Sequence, residues 1–119
     1  VSGPFDPVDL LGRVEGDTTL LSELVRAFLT TAPQQMRAID AALDRGEGTA
    51  IVRAANTLRG SVGTFGALEA VNAAGRLEML GNLGDLPAAR QARRALEEEM
   101  QRLMTALRPY LGEGEECAS

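Results

Sequence analysis

The chain has 119 residues, 45% hydrophobic and 24% charged, with a net charge of −5. A chain of this length buries about two-thirds of its unfolded surface, so one domain can hold a core without disulfides or metal. It contains no histidine, no lysine and one cysteine. That excludes a Ser-His-Asp triad, His-ligated zinc, a Schiff-base lysine and a Walker lysine.

All 12 cations are arginines, set against 17 acids. The balance argues against a nucleic-acid backbone binder, which presents a basic face. Cys117 lies in a Gly- and Glu-rich stretch, residues 112–119, read as a flexible acidic tail after a domain over residues 1–111. A lone cysteine forms no internal bridge, which agrees with a reducing cytoplasm. No apolar run approaches the ~20 residues of a membrane span, and no signal peptide is visible. The expectation is a cytoplasmic monomer, not inserted in a membrane, with no metal and no cofactor.

Aromatics are 3% of the chain, and Ala, Leu, Arg and Glu dominate it, which favours helices. A short first helix is predicted from Pro7 to Val14, with Asp6 as its cap and proline at its first position. Gly16-Asp17 breaks the chain, and Asp17 or Thr18 caps the next helix. Leu21, Leu24, Val25, Phe28, Ala32, Met36, Ile39 and Leu43 then recur at three- and four-residue steps. They predict a long amphipathic helix to Asp44, kinked at Pro33 and ended by Gly46 and Gly48.

A third helix is predicted over Thr49 to Thr64, and a fourth over Ala67 to Asn82 carrying Val71, Ala74, Leu77 and Leu80. Asp85 caps a last helix whose stripe is Leu96, Met100, Leu103, Leu107 and Tyr110. Apolar stripes joined by short glycine connections predict an all-α fold: an antiparallel four-helix bundle with a short extra N-terminal helix.

On the third helix, at about 100° per residue, Ile51, Ala55, Leu58, Val62 and Phe65 fall within roughly 40° of one direction, a core-facing seam. Val52, Asn56, Arg59, Gly60 and Gly63 lie at roughly 80–180° from that seam and form one solvent-facing patch. Thr57 and Ser61 point elsewhere. Glycine on an exposed helix face costs ~1 kcal/mol against alanine. Either Gly63 and Gly66 mark a fraying end and Gly60 is incidental, or the bare backbone admits a close partner. Spacing alone leaves both open. No strand precedes the Gly-x-x-Gly-x-x-Gly run, so it is no dinucleotide cradle.

The segment Ala54-Ala55-Asn56-Thr57-Leu58-Arg59-Gly60-Ser61-Val62-Gly63-Thr64-Phe65-Gly66-Ala67 closely resembles the signature of histidine-containing phosphotransfer (HPt) domains. Gly16-Asp17, Leu20-Leu21, Phe28-Leu29 to Pro33, Leu77-Glu78 and Gly84-Asp85-Leu86 extend the likeness over most of the chain. The resemblance implies a bundle that exchanges phosphoryl groups with receiver-domain aspartates in bacterial phosphorelays, its partners a response-regulator receiver domain or a histidine kinase. It also implies that Asn56 stands where the family carries its phosphorylated histidine, with Arg59 in the place of the usual lysine. An imidazole offers a ring-nitrogen lone pair, whereas an amide nitrogen delocalises its own into the carbonyl.

The expected function is therefore a pseudo-phosphotransfer module, not an enzyme, with no catalytic residue and a partner face of Val52, Asn56, Arg59, Gly60 and Gly63. The alternatives are a phosphotransfer domain whose histidine was deliberately exchanged, and a structural or dimerisation bundle. Glu97-Glu98-Glu99 reads as a solvated face pairing with Arg93, Arg94 or Arg102. The methionines Met36, Met79, Met100 and Met104 read as bundle fillers.

Overall fold

Asp6 starts the first helix: its carboxylate accepts the backbone N–H groups of Val8 and Asp9 at 3.0 and 3.4 Å. Pro7, which has no N–H to leave unpaired, occupies the first turn. The structure, a computed structural model, describes residues 4–111. The acidic tail and Cys117 lie outside the described residues. Five α-helices follow in order: α1 (Pro7–Arg13), α2 (Thr18–Arg45), α3 (Gly48–Gly63), α4 (Leu68–Leu83) and α5 (Leu86–Leu107). A short 3-10 turn, Arg108–Tyr110, closes the described chain. The predicted limits hold to within a residue or two, with one difference at the C-terminus. Pro109 cannot extend the α-helical ladder, so Tyr110 leaves α5 and sits half-buried in the 3-10 turn, its ring edge-on to Phe5 at 5.7 Å.

The caps expected from the sequence are formed. Asp17 accepts the Leu20 N–H at 3.0 Å, and Asp85 accepts the Ala88 N–H at 3.1 Å. The long α2 runs unbroken through Pro33, which is exposed. Just before it, the hydroxyls of Thr30 and Thr31 donate back to the carbonyls of Arg26 and Ala27 at 3.0 and 2.7 Å.

Two-residue and four-residue connections make α2 to α5 antiparallel neighbours. Packing runs α2 on α3, α3 on α4 and α4 on α5, and α2 against α5 closes the ring. The stripes converge inside it. Ile51, Ala55, Leu58, Val62, Leu77, Leu96, Met100, Leu103 and Leu107 are fully buried, while Leu24 and Val71 pack at the edge of the core, half-buried. No polar or charged residue is buried among the described residues.

Helices α3 and α4 approach most closely at Gly48 and Gly81. A Cβ on Gly48 would stand 2.5 Å from the Gly81 carbonyl oxygen, and one on Gly81 would stand 2.7 Å from the Ile51 side chain. Their turn depends on Gly66, at a φ of +65°, where a side chain would also strike the Asp9 carboxylate at 2.8 Å. Asp9 is held there by Arg13 at 2.8 Å, so α1 packs over the α3–α4 turn. On the outside of the bundle Arg93 of α5 forks onto Asp40 of α2 at 2.7 and 2.9 Å and also meets Glu97 at 2.8 Å. Partial burial alone would lower the Arg93 pKa; hydrogen bonds and charge from Asp40 and Glu97 outweigh it and raise the pKa. Glu99 pairs with Arg102 at 3.4 Å, so within the acidic run Glu97 and Glu99 are half-buried and ion-paired while Glu98 is exposed.

Candidate functional site

The register of the α3–α4 hairpin builds the site. Gly63 faces Val71, Arg59 lies over Gly75, and Asn56 reaches Glu78. Asn56 is exposed near the middle of α3, held up by the buried seam of Ala55 and Leu58 beneath it. Its amide nitrogen donates to Glu78 Oε2 at 3.3 Å. A carboxylate only accepts, so the amide nitrogen and not Oδ1 must face Glu78. Arg59, exposed one turn along, lies against the same carboxylate: Nε is 3.2 Å from Oε1 and Nη2 is 3.5 Å from Oε2. Glu78 is the more shielded partner, its side chain 22% exposed against 43% for Arg59.

Gly60 is exposed, and a Cβ there would meet nothing within 4 Å. No neighbour in the fold requires a glycine at that place. Asn56, Arg59 and Gly60 are therefore brought together on one open face, as expected. Val52 and Gly63 differ: both are half-buried, not solvent-facing. The wheel gives their angle from the seam but not the position of α4, which covers that flank. Val52 lines a shallow cavity of about 400 Å³ with Arg59, Gly75, Glu78, Met79 and Asn82.

The hydroxyls that border the patch are already engaged on its far side. Thr57 donates to the Arg53 carbonyl at 3.0 Å, and Ser61 accepts from Gln35 of α2 at 3.0 Å. Neither shares the face of Asn56.

Two residues of this region escaped the sequence reading. Glu78 organises Asn56 and Arg59 from the neighbouring helix; in this hairpin residues equally far from Ala67 face one another, as Gly63 and Val71, Arg59 and Gly75, and Asn56 and Glu78 do. Met79 is not a filler but 51% exposed beside the cavity. It lies about 160° around α4 from the buried Leu77, two residues on at 100° each. Leu83, one turn further and 70% exposed, continues the same apolar strip.

No helix among the described residues is long and apolar enough to cross a membrane, and no described His, Cys, Asp or Glu residues cluster in a metal-binding group. No curated protein and no solved structure matches the chain. The family model "Hpt domain" matches residues 23–106, from the second turn of α2 to the last turn of α5. The match covers all of α3 and α4 and most of α2 and α5, so the chain belongs to the Hpt domain family, the phosphotransfer modules of phosphorelays.

Proposed function

We propose that this chain is a docking module for the receiver domains of response regulators that accepts no phosphoryl group, because Asn56 occupies the acceptor position. Its partner face is Val52, Asn56, Arg59, Gly60 and Gly63, extended over α4 by Met79 and Leu83. It works as a cytoplasmic monomer, where receiver domains and their kinases meet.

The observation that carries this reading is Gly60. A helical glycine gives up about 0.5–1 kcal/mol against alanine. Gly48 and Gly81 return that cost through close helix packing, but the space beside Gly60 is empty. A partner whose loops approach the α3 backbone there accounts for the missing side chain. Asn56 then sits under the same partner, one turn away, with no nucleophilic atom to offer. The exposed Met79 supplies an adaptable apolar contact beside it.

The test is direct binding. Receiver domains encoded in the same genome are purified and titrated against the parent and against Gly60→Gln. The expected result is weak, saturable binding of at least one receiver to the parent, weakened at least about tenfold in Gly60→Gln with helicity unchanged. Equal binding by the two proteins would place the partner elsewhere.

A further inference from the structure

Resting on that docking reading, we propose that Glu78 makes the module selective for the unphosphorylated state of its receiver. The Asn56–Arg59–Glu78 cluster is closed upon itself, and its charges sum to zero. Arg59 is the cation nearest to Asn56 in this cluster, yet it is laid side-on against both oxygens of Glu78.

Glu78 Oε1 is shielded from solvent and has no hydrogen-bond partner of good geometry. Arg59 Nε, 3.2 Å away, is its counter-charge. Swinging Arg59 outward to a phosphoryl group would leave that shielded oxygen uncompensated, which carries the full desolvation penalty of an unpaired charge. The second polar group, Asn56, brings no charge. One of the two Asn56 amide N–H donors is engaged by Glu78 at 3.3 Å. What remains is one N–H and carbonyl Oδ1, neutral groups that carry no charge to balance a phosphoryl group.

A receiver presents a carboxylate before phosphorylation and an acyl phosphate of greater negative charge after it. The added charge meets no cation of this cluster that is free of a counter-charge, and it approaches the Glu78 carboxylate. Charges a few ångströms apart at a partly desolvated surface make this worth about tenfold in affinity.

Beryllofluoride, which forms an aspartyl-phosphate mimic on receivers, supplies the probe. A receiver that binds the parent is titrated with and without beryllofluoride and magnesium, against the parent, Glu78→Gln and Gly60→Gln. The parent is expected to bind the free receiver about tenfold more tightly than the loaded one. Glu78→Gln releases Arg59 from its counter-charge and should bring the two affinities within about twofold, with unchanged helicity. The parent's preference should also shrink at about 1 M salt, where the screening length falls to about 3 Å. Gly60→Gln should weaken binding in both states alike. The proposal is overturned if the parent binds both states equally or prefers the loaded one. It is equally overturned if Glu78→Gln keeps the parent's ratio. Absence of binding in both states would remove the docking reading itself, and the proposal with it.

Discussion

Gly60 and Gly48 lie on the same helix and predict opposite responses to one methyl group. A Cβ at Gly60 meets open space, so Gly60→Ala should raise stability by about 0.5–1 kcal/mol through its helix propensity and a less free unfolded chain. A Cβ at Gly48 meets the Gly81 carbonyl at 2.5 Å, so Gly48→Ala should lower stability by about 1–3 kcal/mol as the helices are forced apart. Urea denaturation of both variants checks the pair; a stability loss in Gly60→Ala would mean that the fold, not a partner, holds that glycine. The exposed positions of Asn56, Arg59 and Gly60 were legible because all three are fixed by the period of one helix. Glu78 was not, because its contact with Asn56 depends on how two helices register, which no periodicity within α3 contains. The half-burial of Val52 and Gly63 has the same origin: angle from the seam says nothing of which flank a neighbour covers.

At the scale of elements, the seams were legible where one face is apolar and the other polar. Helix α3 buries Ile51, Ala55, Leu58 and Val62, and α5 buries Leu96, Met100, Leu103 and Leu107, both on the predicted stripes. Replacing Leu58 or Leu103 with alanine removes a side chain that is fully buried and should cost about 2–5 kcal/mol. A denaturation midpoint equal to the parent's for either variant would contradict the packing of the ring. Helix α4 was harder to read, because it carries apolar residues on two faces. Leu77 and Leu80 enter the core while Leu68, Met79 and Leu83 face outward, so pattern alone assigned Met79 to the interior. The cross-helix pair of Arg93 with Asp40 was equally hidden, since sequence offers Arg93 its partner Glu97 four residues away and gives no view of α2. Arg93 is half-buried and forks onto Asp40, so Arg93→Met should cost about 1–3 kcal/mol, read from the same denaturation curves.

For the whole molecule, no polar or charged residue is buried among the described residues, and on the proposed reading the α3–α4 face carries the parts of a phosphotransfer site without its nucleophile. Its parts are an exposed backbone at Gly60, a guanidinium at Arg59, a carboxylate at Glu78 and the amide of Asn56. Asn56→His would put a ring nitrogen in hydrogen-bond reach of Glu78, which would accept the imidazole N–H and leave the other nitrogen lone pair toward the partner. The most direct test of the account is phosphoryl transfer: a receiver that binds the parent is loaded with radiolabelled phosphate and mixed with the parent or with Asn56→His. The account predicts no label on the parent, and an acid-labile, base-stable label on Asn56→His. Label on the parent would contradict it, because a side chain other than a histidine would then be accepting the group.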